Sequence, residues 1–186
     1  MSYAIHKLPV GDVPAAQAVV NAIQSLYYYP HPVLKELRRD VFYGGHVWVM
    51  YNERGQPVSV NCTKPGKRRK NIWEPYANWY TAYTVVPLRR QGLALQLYKH
   101  VEAELEALGC RRIKSLAGSS AGLALHRAAG HDFWGCTDNN EVYVDAPLPG
   151  SRSLYEGKTP PQVPGKRLNK ANVAELIKKG LRYDHG

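Results

Sequence analysis

Apolar residues recur along this chain with two periods, near two and near three and a half, and the switches between them outline its elements. Alternation over residues 3–8 predicts a first strand. A helical period follows over 13–28, opened by Asp12, a good N-terminal cap, with Pro14 tolerated in the first turn. The run Tyr29-Pro30-His31-Pro32 breaks that helix, and Leu34, Leu37 and Val41 at helical spacing predict another over 33–41. Two alternating segments, 46–51 and 56–63, predict strands joined by a turn at Asn52-Glu53-Arg54-Gly55. A strand of mostly aromatic and β-branched residues then runs over 77–86, with Trp79 and Tyr80 on opposite faces.

The stripe Leu93, Leu97, Val101, Leu105 and Leu108, with Glu102, Glu104 and Glu106 mainly off it, predicts a long amphipathic helix ended by Gly109. Residues 112–117 read as a strand, and Ser119 or Ser120 caps a further helix that stops at Gly130. Strands at 132–136 and 141–145 form a hairpin around Asp138-Asn139-Asn140. The predicted order is β-α-α-β-β-β-α-β-α-β-β, an α/β chain of α+β character. Beyond it the composition changes. Pro147, Pro149, Pro160, Pro161 and Pro164, with several glycines, exclude a regular core element. Asn172-Val173-Ala174-Glu175 has the form of a capping box, and Val173, Leu176, Ile177 and Leu181 give the short terminal helix one apolar face. The expected division is a domain over 1–147 and a basic Pro/Gly-rich extension over 148–186. The terminal helix is expected to dock on that domain or on a second copy, as in a homodimer; a basic amphipathic helix can also meet nucleic acid or an acidic membrane surface.

At 186 residues the chain suits one domain with an appendage and can bury a real core. No apolar run is long enough to span a membrane, and no signal-peptide pattern follows Met1, so a cytoplasmic protein is expected. The three cysteines (Cys62, Cys110, Cys136) are scattered and odd in number, which argues for a reducing compartment and against a disulfide framework. The seven histidines show no paired ligand spacing, and no metal is expected. The net charge of +10 is concentrated. Residues 64–70 hold five basic side chains and no acid, residues 148–186 hold eight basic and three acidic, and the rest balances at twelve against twelve. A neutral domain with two basic appendages suggests an anionic partner, nucleic acid or an acidic protein, met by Lys67, Arg68, Arg69 and Lys70 and by the extension; a solvated loop is the plainer reading.

The candidate chemistry centres on Val85-Val86-Pro87-Leu88-Arg89-Arg90-Gln91-Gly92-Leu93-Ala94, where a strand runs directly into the long helix. Free N–H groups at a helix start, with the positive end of its dipole, make a socket for an anion such as pyrophosphate. Gly92 allows close backbone approach and Ala94 keeps a bulky side chain away from the ligand. Two arginines at a helix start oppose the dipole and ask for an anionic partner. Arg89-x-x-Gly92-x-Ala94 resembles the coenzyme-A-binding motif of the GNAT acyltransferase superfamily, Arg/Gln-x-x-Gly-x-Gly/Ala. The element order over residues 1–147 agrees with that family's. One departure is visible: the family has three residues from the proline to the motif arginine, and Arg89 follows Pro87 by two. The side-chain roles of Arg89 and Arg90 are therefore open.

The resemblance implies a GNAT fold, a central mixed and mostly antiparallel sheet flanked by helices, and transfer of acetyl from acetyl-CoA to an amine. Acetyl-CoA is the expected co-substrate, held by the main chain of Thr84, Val85 and Val86 and by Arg89, Arg90, Gln91, Gly92, Leu93 and Ala94. In the family a tyrosine general acid often stands four residues before a glycine. That position is His126, before Gly130-His131, and the frequent asparagine seven residues earlier is Ser119. A histidine with an ordinary pKa near ~6.5 can protonate a thiolate, and it can equally be an ordinary helix residue. Ser119 and Tyr83 are further candidates, although a helix cap and packing are their simpler jobs. No glutamate lies in 77–86 to act as base. Tyr28, Tyr29 and Tyr80 are placed to line the acceptor site. The basic loop 64–70 precedes a strand of ten or so residues at ~3.4 Å each, which sets it on the order of 30 Å from the pyrophosphate loop and frees it for another partner. Two readings stand side by side: an N-acetyltransferase whose acceptor is a protein or is associated with nucleic acid, and a GNAT-fold binding or assembly module with weak chemistry or none.

Overall fold

The structure, a computed structural model, describes residues 2–27, 37, 45–65, 76–136 and 142–148. Two compact units are distinguished: residues 1–66 with 79–105, and residues 67–78 with 106–186.

In the first unit the strands β1 (Ala4–Lys7), β2 (His46–Tyr51), β3 (Pro57–Pro65) and β4 (Tyr76–Thr84) follow in that order across the sheet. β1–β2 and β2–β3 are antiparallel, with Ala4 opposite Tyr51 and His46 opposite Thr63. The β2–β3 turn is tied by Asn52, whose Oδ1 accepts from the N–H groups of Arg54 (3.0 Å) and Gln56 (2.9 Å). Its last residue, Gly55, sits at φ 69°, which a side chain would resist. Helix α1 (Val13–Tyr27) begins where Asp12 Oδ1 accepts from the N–H of Ala15 at 2.9 Å, the expected cap. It buries Ala16, Val19, Val20 and Ile23 and contacts β3.

Helix α2 (Leu93–Ala107) buries Leu93, Leu97, Tyr98, Val101 and Leu105. The stripe stops one residue short of expectation. Leu108 is 57% exposed, because the helix ends at Ala107 and Gly109, at φ 85°, turns the chain away. On the sheet side, Trp48 is fully buried and its indole N–H donates to Glu104 Oε2 of α2 at 2.8 Å. Lys7 Nζ lies 5.0 Å from the Trp48 ring and 3.9 Å from the same carboxylate oxygen, and His100 Nε2 is 3.1 Å from Glu104 Oε1.

In the second unit β5 (Arg112–Ala117), β7 (Val142–Pro147) and β6 (Asp132–Cys136) pair antiparallel in that spatial order. Ile113, Ser115 and Ala117 stand opposite Ala146, Val144 and Val142, and all six are buried, so one face of the pair is continuous core. Helix α3 (Ser120–Ala128) contacts β5 and turns Leu123, His126 and Ala129 inward at a spacing of three. Leu148, just past β7, is buried and donates its N–H to the carbonyl of Arg111 at 3.0 Å.

The helix expected over 33–41 lies outside the described residues except for Leu37, which is helical and buried. The loop at 138–140, the basic segment 67–70 and the extension beyond Leu148 with its terminal helix also lie outside them. Among the described residues no helix is long and apolar enough to cross a membrane, and no three His, Cys, Asp or Glu come together as a metal site.

Candidate functional site

β4 ends at Thr84, two residues before the end of the predicted strand. Pro87 carries no N–H for a ladder and fixes its own φ, so Val86–Leu88 forms a 3₁₀ turn instead. The N–H of Leu88 donates to the carbonyl of Val85 (3.0 Å) and that of Arg89 to the carbonyl of Val86 (3.3 Å). The N–H of Val85 donates to the carbonyl of Val58 (3.0 Å), holding the strand end on β3. After the turn the chain passes through Arg90 at φ 66° and Gly92 at φ 79° before α2 begins. A left-handed backbone at a non-glycine residue is uncommon, and here it falls between the 3₁₀ turn and the helix start.

The two arginines do different things. Arg89 turns back: its Nε–H donates to the carbonyl of Thr84 at 3.0 Å, and its guanidinium carbon lies 5.6 Å from the centre of the Tyr83 ring. It staples the end of β4 to the start of the loop. Arg90 is exposed at the bend. At the start of α2 the N–H of Gln96 donates to the carbonyl of Gly92 (2.9 Å), so the N–H groups of Leu93, Ala94 and Leu95 precede the helix's own ladder. A Cβ built on Gly92 would meet nothing within 4 Å, so the ligand side of this bend is open. An open bend, left-handed turns, leading N–H groups and a free-standing cation make an anion cradle. These residues fit a pyrophosphate.

The strand end is braced from β3. Ser59, 1% exposed, donates its hydroxyl to the carbonyl of Tyr83 (3.0 Å) and is hydrogen-bonded to Thr84 Oγ1 (2.8 Å). Ser59 was not among the residues singled out from sequence; its place in an alternating strand gave no sign that its face would be covered. Tyr83 itself is 4% exposed, and Tyr80 lies in β4 with its side chain outside the description. Tyr28 and Tyr29 are outside the described residues.

In the second unit Ser119 is the cap of α3, its Oγ accepting from the N–H of Gly122 at 3.1 Å. His126 is 4% exposed. The helix ends in a Schellman arrangement: Gly130, at φ 81°, donates to the carbonyl of Arg127, and His131 donates to the carbonyl of His126, both at 3.0 Å. That motif commonly brings the side chains of its third-last helical residue and its second residue beyond the cap together. Here those residues are His126 and His131, with Nδ1 atoms 3.0 Å apart and ring centres 5.3 Å apart. Burial, and then the neighbouring His131, push the His126 pKa down to about 3, so its ring is neutral at pH 7. The spacing of His126 and His131 around Gly130 was the available signal for this pair.

Residues 16–131 match the Acetyltransferase (GNAT) family, and the chain belongs to that family. No curated protein matches it. Among solved structures it is similar to a GNAT-family protein from Desulfovibrio desulfuricans, at TM-score 0.61 and 12% identity over 79% of this chain and 99% of that one. It is also similar to the ribosomal-protein-S18-alanine N-acetyltransferase of Escherichia coli (TM-score 0.56, 18% identity, 81% and 97% covered). A third is a chain of the NatC complex bound to Gag peptide and CoA (0.56, 13%, 80% and 99%). At these identities the likeness establishes the fold: α+β, an antiparallel sheet flanked by helices.

Proposed function

We propose that the protein is an N-acetyltransferase that takes acetyl from acetyl-CoA and passes it to an amine, with the coenzyme pyrophosphate held by the loop from Arg89 to Ala94. The observation that carries this is the cradle formed by the left-handed bends at Arg90 and Gly92 and the N–H groups that open α2. In that reading Arg90 and Gln91 face the phosphates, Arg89 fixes the loop to β4, and the main chain of Thr84, Val85 and Val86 lies along the pantetheine arm. Acetyl-CoA supplies an activated acyl group. The chain's part is to orient the thioester, accept the amine's proton and return one to the departing thiolate. Tyr28, Tyr29 and Tyr80 line the acceptor side. Lys67, Arg68, Arg69 and Lys70, with the extension over 148–186, meet an anionic acceptor or its nucleic-acid carrier. A cytoplasmic location goes with this reading. Neighbours that act on a protein alanine, or that hold a peptide with CoA, make protein amines the first acceptor class to screen.

A second reading, a GNAT-fold module with weak chemistry, is favoured by what the three nominated catalysts are doing. Ser119 caps a helix, His126 is buried against His131, and Tyr83 lies beneath Arg89. Release of free CoA thiol from acetyl-CoA, followed with an amine panel, separates the two. Turnover that is lost in His126→Phe places His126 in the reaction. Equal turnover removes it, and binding without any turnover supports the module.

A further inference from the structure

β3 alternates apolar and polar residues, Val58, Val60 and Cys62 against Ser59, Asn61 and Thr63, which is the usual mark of a strand with one wet face. Neither face is wet. All six residues are at most 2% exposed. The polar row shares its face with Trp48 and His46 of β2, since Trp48 stands opposite Asn61 and His46 opposite Thr63. The Trp48 bond to Glu104 puts that face under α2.

Ser59 is satisfied by Thr84 and the carbonyl of Tyr83. The rest of the row is not. Asn61 Oδ1, Thr63 Oγ1 and His46 Nδ1 are all buried without a hydrogen-bond partner among the described residues. A buried polar atom left so costs far more than one that is paired, and clusters of them are where internal water is held. Directly opposed side chains stand about 5 Å apart, a span that one water with two ~2.8 Å bonds bridges, and next neighbours along a face stand about 7 Å apart, a span that takes a second water. The three atoms also suit water's chemistry. The amide oxygen accepts, the hydroxyl does both, and a neutral imidazole nitrogen does either according to tautomer. Burial, then the charge of Lys7, lowers the His46 pKa against the opposing pull of Glu104, which keeps that ring neutral.

We infer that Asn61, Thr63 and His46 form an internal water site beneath α2, occupied by long-lived water that completes the hydrogen bonding of the polar row. Through Ser59 the same row reaches Thr84, the last residue of the strand that leads into the Arg89–Ala94 loop, so the site stiffens the platform behind that loop.

The test is a water-proton magnetic relaxation dispersion measurement on the full chain, with thermal melts of Thr63→Val, a near-isosteric change. A water that loses one of its anchors predicts a Tm lower by about 2–4 °C and loss of a long-lived water signal from the dispersion. A dry site predicts the reverse sign, because Thr63→Val then removes an unsatisfied hydroxyl. A Tm that is unchanged or raised, or a dispersion that shows no long-lived water in the wild type or the same amount in the variant, overturns the inference. Should Thr63→Val not fold, the wild-type dispersion and Thr63→Ser, which keeps the hydroxyl and is expected to keep the water, decide it.

Discussion

Arg89 returns its side chain to the strand it has just left, donating Nε–H to the carbonyl of Thr84 at 3.0 Å. A motif residue therefore serves as a brace, and in the proposed reading the task of meeting phosphate falls to its neighbour Arg90. The fork of a guanidinium reaches the carbonyl while lying by the Tyr83 ring; an ammonium does not do both. Arg89→Lys and Arg89→Met are both expected to weaken acetyl-CoA binding by about tenfold, on the order of 1.4 kcal/mol, measured by calorimetric titration. Equal affinity in Arg89→Lys would show that the brace is dispensable.

Arg90 occupies a left-handed backbone that costs a non-glycine residue about 1–2 kcal/mol. Arg90→Gly is expected to hold or raise Tm while lowering coenzyme affinity, since strain goes and a cation goes with it. Melts with and without acetyl-CoA check the two halves. A variant that melts lower and binds as tightly contradicts both.

Gly92, at φ 79° with open space where a Cβ would stand, takes a side chain at a backbone cost of about 1–2 kcal/mol, with no clash in the free protein. Gly92→Glu is expected to fold, as judged by circular dichroism, and to lose measurable acetyl-CoA binding, because a carboxylate would then stand by the pyrophosphate. Retained binding in this variant would move the coenzyme site elsewhere.

The His126–His131 pair predicts acid sensitivity. His126 has its pKa lowered from 6.5 to about 3 by burial, and unfolding restores the ordinary value. The unfolded chain therefore takes up a proton that the folded one refuses. This contribution is complete above pH 6.5 and is lost as the pH falls from there toward 3. Its ceiling is on the order of 5 kcal/mol. Denaturant melts from pH 7.5 to 4.5 should show the wild type losing stability more steeply than His126→Phe. Parallel slopes would remove the pair as the cause.

Glu104 links three partners in the first unit, and the buried Trp48 N–H depends on it. Glu104→Leu is expected to cost about 1–3 kcal/mol by stranding that donor, whereas Lys7→Met, at a half-exposed 3.9 Å pair, costs less than about 1. Urea melts compare them, and a larger loss in Lys7→Met would reverse the assignment.

Where one physical signal dominated, the elements were legible in the chain. The alternation of 46–51 and 112–117 and the stripe Leu93-Leu97-Val101-Leu105 gave β2, β5 and α2. Asp12 and Ser119 gave the caps of α1 and α3. The end of β4 was misplaced because strand propensity carries through Val85 and Val86, while Pro87 decides the hydrogen bonds. The burial of Ser59, Asn61 and Thr63 was not legible, because alternation tells which residues share a face and not what covers it. The loop 89–94 was legible as a turn from strand into helix, but the different placements of Arg89 and Arg90 rest on one φ angle and one side-chain turn. His126 was read from its position in a family pattern; its burial against His131 arises from a helix-end geometry that position alone does not reveal.

The central claim is that the Arg89–Ala94 loop holds acetyl-CoA, and a thermal-shift titration tests it most directly, with free CoA and ATP as controls. At about a hundredfold over the dissociation constant, binding stabilises the folded chain by ~2.7 kcal/mol. The account predicts a saturable rise in Tm with acetyl-CoA and CoA, smaller with ATP and absent in Gly92→Glu. A folded sample whose Tm is indifferent to both coenzymes, or a Gly92→Glu variant that shifts as the wild type does, contradicts it.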